Sequence, residues 1–125
     1  MSSVDAVKYN LKIEQGADWS KDWLLANVDD TPYPVANITA AVCQFKQFAS
    51  PDSAVAVELT KDSGIVFDAD TGKMTLQMSV DQTWLLKHNK MVYDILLTIE
   101  DDDGTLVYKP LRGDVQVVFG VTRNG

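Results

Sequence analysis

An acidic run near the C-terminal end of the sequence is the first place where chemistry could occur. Residues 100–104 read EDDDG, and Asp101, Asp102 and Asp103 could offer oxygen ligands to a metal ion. A calcium loop of the EF-hand type needs a longer series of ligands that ends in a bidentate Glu, and it lies between two helices. Asp-Gly between two apolar alternating segments is typical of a hairpin turn. The pattern therefore favours a turn over a metal site.

The single histidine and the single cysteine offer little more. His88 has no nucleophile or orienting group assigned to it by spacing, and both are needed for general base catalysis. Cys43 excludes an intrachain disulfide and occupies an apolar position of a predicted strand. We expect His88 to be a partly exposed residue near a helix end and Cys43 to be a small buried side chain.

Two further groups of residues have types that could form a binding or catalytic site. The acids of the first third of the chain lack the paired setting of acid–base catalysis and are expected to be solvated: Asp18, Asp22, Asp29 and Asp30. The three tryptophans, Trp19, Trp23 and Trp84, could form a ligand platform, but they occupy inward positions, which favours the core. No phosphate-binding loop, nucleophile elbow or zinc-protease motif occurs. We expect no catalytic residue and no cofactor.

Length and charge limit the classes of partner. The chain has 125 residues, which is one domain (1–125), with residues 1–6 expected to be a flexible N-terminal arm. Its formal charge of -7 argues against binding to a nucleic acid backbone. No stretch approaches the roughly eighteen apolar residues that span a bilayer. Neither nucleic acid nor membrane is therefore an expected partner.

The elements that would position these residues are short strands with a period of two. The longest pair covers residues 91–119, where the predicted inward residues are Tyr93, Ile95, Leu97, Ile99, Leu111, Val115, Val117 and Phe119. The alternation changes phase across Lys109 and Pro110, which predicts a β-bulge there. Gly113 falls on an inward position, and we expect a bulky side chain such as a tryptophan to fill the space.

Earlier segments follow the same rule. Their predicted inward residues are Val7, Tyr9, Leu11 and Ile13; Ala17, Trp19, Trp23 and Leu25; Ala41, Cys43 and Phe45; Val55, Val57 and Leu59; Ile65 and Phe67; and Met74, Leu76 and Met78. The second strand should be antiparallel to the first because the connection between them is short. Residues 27–34, which contain two prolines, are expected to form a loop, and Asp70-Thr71-Gly72 predicts a hairpin.

One short helix is expected over about residues 79–88. Ser79 and Gln82 have the spacing of a capping box, and Asn89 could end the helix in a left-handed conformation. Trp84 would then cover one end of the sheets. Brief, evenly spaced strands with almost no helix are typical of an all-β sandwich of about 7–9 strands.

Three stretches together resemble one family. KIEQGADWS, SGIVFDADTGKMTLQMS and VYDILLTIEDDDGTLVYKPLRGDVQVV, followed by VTR, are similar to small β-sandwich proteins encoded among the tail genes of double-stranded DNA bacteriophages. These include the immunoglobulin-like N-terminal domain of upper baseplate proteins and the sandwich domain of tail-fibre collar or adaptor proteins. The sequence departs from the pattern at Lys21, where an apolar residue is usual, and in its alanine-rich strand at residues 39–48.

The resemblance implies an immunoglobulin-like antiparallel β-sandwich and a non-enzymatic virion component, assembled in the host cytoplasm. Such a subunit would dock fibres or receptor-binding proteins and form a homo-oligomer with other virion proteins as partners. Candidate interface residues lie on edge strands and proline-containing segments: Lys21, Tyr33, Pro34 and Pro110. The alternatives are a capsid decoration protein of the same fold, or a module that binds carbohydrate or ions through residues 27–34 and 100–104.

Overall fold

Alternation of apolar and polar residues turns most of the chain into β-strands. The computed structural model describes residues 7–24, 37–102 and 104–120, without the side chains of Val7, Asp101 and Tyr108. Its elements are β1 Val7–Lys8, β2 Leu11–Glu14, β3 Trp19–Leu24, β4 Ile38–Lys46, β5 Val55–Lys61, β6 Gly64–Asp68, β7 Lys73–Met78, α1 Val80–Thr83, β8 Lys90–Asp101, β9 Gly104–Tyr108 and β10 Leu111–Val118. The predicted arm, residues 1–6, and the loop, residues 27–34, lie outside the described residues.

The strands form one sheet that curls into a nearly barrel-shaped layer. Across it the order is β1, β10, β8, β4, β5, β6, β7 and β3, with β2 continuing β1 beside β10 and β9 continuing β10 beside β8. The ten strands therefore occupy eight positions, because two long strands are each interrupted once. The all-β expectation is confirmed, and the pairing does not confirm an immunoglobulin-like sandwich.

Not all of the pairing is antiparallel, contrary to expectation. β1 and β2 both run parallel to β10, and a short parallel bridge joins β5 to β6. The expected antiparallel relation between the first two strands does not take the form of direct pairing, since β3 pairs with β7 at the other edge of the sheet. The short turn after β2 therefore carries the chain across the gap between the two edges, rather than closing a hairpin.

The predicted change of phase near Pro110 is confirmed. β9 and β10 both run antiparallel to β8, and the ladder is interrupted at Lys109 and Pro110. Between the pairs Leu97–Tyr108 and Asp94–Arg112, residues 109–111 face only Ile95 and Leu96. One extra residue in this strand realigns its apolar face with the core, which is the function of a β-bulge.

The interior of the curled sheet contains the residues that the alternation placed inward. The buried apolar side chains include Leu11, Ile13, Ala41, Cys43, Phe45, Val57, Leu59, Ile65, Met74, Leu76, Met78, Tyr93, Ile95, Leu97, Ile99, Leu111, Val115 and Val117. Tyr9, Trp19, Trp23 and Phe67 are half-buried against them. Two predictions were wrong: Val55, the first residue of β5, is 42% exposed, and Phe119, one residue beyond the end of β10, is 52% exposed.

Gly113 is covered by main chain and not by the bulky side chain that was expected. It lies opposite Tyr9, at the interruption between β1 and β2, and a Cβ placed on it would overlap the Tyr9 carbonyl oxygen. Tyr93, the partner of Gly113 across the sheet, donates its hydroxyl to the same oxygen at 2.6 Å. The missing side chain therefore lets the Tyr9 carbonyl reach a buried donor.

The helix is shorter than predicted. α1 has four residues, and the predicted capping box is present: Ser79 Oγ accepts from the Gln82 amide while the Gln82 side chain accepts from the Ser79 amide. Its C-cap is Trp84 and not Asn89, whose carbonyl accepts from the Val117 amide at 3.0 Å instead. The Asn89 carbonyl thus forms a hydrogen bond with strand β10 and does not end the helix.

Trp84 and Thr83 attach α1 to one end of the sheet, as predicted for Trp84. The Trp84 ring lies against Gly16 and Gly120, where an added Cβ would be 2.7 and 2.8 Å from ring carbons. Thr83 is fully buried, and its Oγ1 accepts from the Gly16 amide at 3.0 Å and lies 3.1 Å from the Ala17 carbonyl. The helix thereby fixes the turn that joins β2 to β3.

Candidate docking surface

The outer face of strands β4, β8 and β10 contains a wide, open groove of about 630 Å³. Its floor is formed by the side chains that alternate away from the core, and the segment 48–51 forms one wall. We name this feature the outer groove. Its lining comprises Lys8, Val42, Gln44, Lys46, Phe48, Ala49, Ser50, Pro51, Val92, Tyr93, Asp94, Leu96, Lys109, Arg112, Gly113 and Asp114.

The net charge of the outer groove is positive, whereas the net charge of the whole chain is negative. Its lining contains four cationic side chains, Lys8, Lys46, Lys109 and Arg112, and two carboxylates, Asp94 and Asp114. The chain as a whole carries a formal charge of -7. A local excess of positive charge on an acidic protein favours contact with an anionic partner, since complementary potentials guide association.

Two of the four cations have ion-pair partners in the groove. Lys109 Nζ lies 3.0 Å from half-buried Asp94, and Lys8 Nζ lies 3.7 Å from exposed Asp114. Within the described residues neither Arg112 nor Lys46 forms an ion pair, and Lys46 Nζ only donates to the Ser50 carbonyl at 3.4 Å. Arg112 and Lys46 are therefore the cations that remain available to a partner.

Apolar side chains form the middle of the outer groove. Val42 of β4 and Val92 and Leu96 of β8 are half-buried on this outer face, and Phe48 on the wall is 62% exposed. Apolar surface surrounded by charged groups is the arrangement found in protein interfaces, where the centre is apolar and the rim is polar. The outer groove is thus suited to a polypeptide that presents both acidic and apolar groups.

The predicted interface residues do not form one cluster. Half-buried Pro110 lies in the bulge, next to Lys109 of the groove. Exposed Lys21 lies on the edge strand β3, with its Nζ 5.5 Å from the centre of the Tyr9 ring. No hydrogen bond, ion pair or ring contact joins Lys21 to Pro110 in the described part of the chain. Tyr33 and Pro34 lie outside the described residues.

Lys21 marks the place where the two edges of the sheet approach each other. Besides the contact of Lys21 with Tyr9, the rings of Tyr9 and Trp23 meet edge to face with centroids 5.5 Å apart. The stem of Lys21 thus follows the apolar seam while its ammonium group remains in water, as long cationic side chains often do.

The residues considered for catalysis or metal binding are separated. His88 is exposed, and burial together with the nearby charge of Asp94 raises the pKa of the Cys43 thiol. Asp102 is exposed, the side chain of Asp101 is not described, and Asp103 lies outside the described residues. Among the residues described, no three His, Cys, Asp or Glu side chains are arranged to hold a metal ion.

The acids of β3 and the turn before it have structural partners. Asp18 Oδ1 accepts from the Val80 amide at 3.1 Å, which anchors the start of α1. Asp22 Oδ1 accepts from the Thr75 hydroxyl at 2.7 Å across the β3–β7 pair. Asp29 and Asp30 lie outside the described residues. The two described acids are exposed as predicted, and each also fixes a neighbouring element.

The cations of the outer groove were not predicted as a site. Lys8, Lys46 and the neighbouring pair Lys109 and Arg112 come from three separate parts of the sequence, so no linear motif joins all four. Their shared property is an outward position on, or directly beside, strands that are neighbours only after folding. Lys8 lies beside Arg112 because β1 pairs in parallel with β10. The alternation of apolar and polar residues in each strand does not predict which strand it pairs with.

No protein-family model matches this chain, and no curated protein matches it. Within the ranges that the structure covers, no helix is both long enough and apolar enough to span a bilayer.

Proposed function

We propose that this chain is a non-enzymatic structural protein of a bacteriophage virion. It acts as a tail or baseplate adaptor or collar subunit, docks fibres or receptor-binding proteins and assembles as a multimer. Three stretches of sequence that resemble phage tail proteins support this function. In this proposal the curled sheet is a variant of the immunoglobulin-like sandwich of those proteins.

One structural observation supports the proposal above the others. The outer groove combines an apolar middle with two cations, Lys46 and Arg112, that have no ion-pair partner among the described residues, and this combination suits a macromolecule. The residues of its floor lie on the neighbouring strands β4, β8 and β10, so their spacing is set by main-chain pairing. An adaptor needs such a pre-formed surface, because a docking face that is already ordered loses little entropy on binding.

Cryo-electron microscopy of virions from a phage whose genome carries this gene tests the proposal. We expect ten strands in this order to fit density at the tail, the baseplate or the fibre attachment site. Mass spectrometry of the purified particles should find the chain in constant ratio to a tail protein. If the particles lack the chain, the proposal is wrong. If the chain lies only on the capsid surface, it is a decoration protein and the adaptor function is wrong.

A further inference from the structure

We propose that the outer groove binds the acidic tip of the β8–β9 hairpin of a second copy of this chain. The contact would be head to tail, with the hairpin tip of each subunit inserted into the groove of the next. This inference rests on the proposed function, in that it specifies how the multimer forms. It concerns contacts between copies and leaves open which other virion protein the multimer holds.

Charge complementarity is the first argument. The hairpin tip contains four consecutive acids, residues 100–103, and the described side chains of Glu100 and Asp102 are exposed. In the groove, Arg112 and Lys46 have no ion-pair partner among the described residues. The chain therefore presents the densest acidic segment of its sequence and an unsatisfied cationic groove on the same molecule.

Apolar complementarity is the second argument. Val107 follows the tip on β9 and is 54% exposed, on the outer face of the hairpin opposite Thr98. The groove has an apolar middle of Val42, Val92 and Leu96. Inserting the hairpin would place acids beside cations and Val107 near the apolar middle. A small inorganic anion would satisfy only the cations, which favours a polypeptide occupant.

The positions of the two surfaces determine the kind of assembly. The tip follows Asp101, and the nearest residue of β8 that lines the groove is Leu96, so they are separated by five residues of β8, or roughly 16 Å along the strand. A subunit cannot fill its own groove across that distance on a rigid strand. Two different patches that bind each other make a heterologous interface, which closes into a ring or continues as a filament.

Charge reversal of both surfaces tests the inference. One variant combines Arg112→Glu with Lys46→Glu, and the other combines Glu100→Lys with Asp102→Lys. Sedimentation velocity in low salt should show concentration-dependent association of the wild type. Each variant alone should associate about a hundredfold more weakly, because like charges would then meet at the contact. Raising the salt should weaken the wild-type association by screening.

Mixing the two variants gives the decisive measurement. The groove variant keeps its acidic tip and the tip variant keeps its cationic groove, so one pair of surfaces is unchanged. The other pair consists of the acidic groove of the groove variant and the basic tip of the tip variant, which also have opposite charges. We therefore expect the equimolar mixture to associate nearly as strongly as the wild type. Restoration by mixing would not follow from unfolding or from a change of net charge.

Each control variant reverses the same number of charges, of the same sign, at positions outside the groove and the tip. Lys12→Glu with Lys87→Glu, and Glu14→Lys with Asp70→Lys, alter exposed side chains outside the groove and the tip, and should associate as the wild type does. Circular dichroism checks that each variant is folded, and if the groove variant is not, the tip variant alone carries the test. A wild type that stays monomeric at millimolar concentration, or reversed variants that associate normally, would overturn the inference. Finding the chain in virion tails would still support the proposed function in that case.

Discussion

At the scale of single residues, Gly113 and the two tyrosines around it form the most closely fitted contact of the sheet. The Tyr9 carbonyl occupies the space above Gly113 and receives the hydroxyl of Tyr93 at 2.6 Å. Asn10 Oδ1 accepts from the Asp114 amide at 3.1 Å beside it and so replaces a main-chain acceptor. The interruption between β1 and β2 therefore leaves its polar groups satisfied, as buried polar groups require.

Gly113→Ala should destabilise the fold, because the new Cβ would overlap main-chain atoms of Tyr9 that cannot rotate away. We expect the free energy of unfolding to fall by about 3 kcal/mol, at the upper end of the usual cost of overpacking. Urea unfolding followed by tryptophan fluorescence measures it. Gln116→Ala, on the same strand and exposed, should change stability by less than about 0.5 kcal/mol. Equal stability of Gly113→Ala and the wild type would contradict the close approach.

Tyr93→Phe should cost about 1–2 kcal/mol at pH 7, because it leaves the Tyr9 carbonyl without the hydroxyl donor. Burial, with the neighbouring Cys43 and Tyr9, raises the pKa of Tyr93 in the folded protein. The unfolded pKa is near 10, so the contribution of Tyr93 is complete below about pH 10 and declines as the pH rises further.

The difference in unfolding free energy between wild type and Tyr93→Phe should therefore be constant from pH 6 to 9 and decrease by pH 11. Urea titrations at these pH values measure it. Tyr9→Phe is the control for the loss at pH 7, because the Tyr9 hydroxyl makes no hydrogen bond within the described residues. It does not serve as a control at high pH, because Tyr9 contributes to the raised pKa of Tyr93. A difference that grows at high pH would show that the pKa of Tyr93 is not raised.

What could be predicted from single residues was the direction in which each side chain points. Alternation placed Cys43, Phe45 and Ile95 in the core, and the structure confirms all three. It could not predict what covers Gly113, since that depends on a strand more than a hundred residues away in sequence. A glycine at an inward position indicates a close approach, but the approaching group can be main chain as well as an aromatic ring.

At the scale of elements, the short helix α1 and the turn between β2 and β3 depend on each other. Four residues cannot form a stable helix alone, since helices of this length are marginal in water. Thr83 and Trp84 connect it to the turn between β2 and β3, and Asp18 of that turn caps the helix in return. The helix and the turn therefore stabilise each other across the open side of the sheet.

Thr83→Val tests this coupling. Valine keeps the shape of the side chain but removes the hydroxyl, which leaves the Gly16 amide and the Ala17 carbonyl without their partner. We expect a loss of about 1–3 kcal/mol in unfolding free energy, measured by thermal and urea unfolding. Thr83→Ser, which retains the hydroxyl, should lose clearly less. If valine and serine were equally destabilising, packing rather than hydrogen bonding would explain the role of Thr83.

Pairing partners were harder to predict than the elements themselves. The phase change at Lys109 and Pro110 is a local signal, so the bulge could be predicted and is confirmed. The partner of β3 is not local: a short turn after β2 suggested a hairpin, while the structure pairs β3 with β7. Alternation shows which face of a strand is apolar and contains no information about its neighbour.

At the scale of the whole molecule, the fold places the first and the last strands of the described chain side by side. β1 and β2 lie beside β10 along one edge, and β3 at the other edge returns to meet them at the seam of Tyr9, Lys21 and Trp23. The outer groove exists only once these distant segments are assembled, because Lys8 and Arg112 belong to opposite ends of the sequence. This explains why the candidate site could not be predicted from a motif.

Such pairing should make folding slow. The contacts of β2 with β10 and of β3 with β7 join residues far apart in sequence, and chains dominated by such contacts fold in milliseconds to seconds. Stopped-flow refolding from urea, followed by tryptophan fluorescence, should give a main phase in this range. Folding within microseconds would contradict the sheet order described above.

The parallel pairing of the first strands with the last one also determines how the protein would respond to tension. Val7 lies beside Leu111 and Glu14 lies beside Val118, so the chain enters at one pole of the sheet and leaves at the opposite pole. A pull on the two ends would slide β1 and β2 against β10 along their length. The hydrogen bonds between them would then bear the force together rather than open one after another. A subunit built in this way is a mechanical clamp. It would resist a force along the strands, applied between its two ends, far better than a force that separates an edge strand from its neighbour.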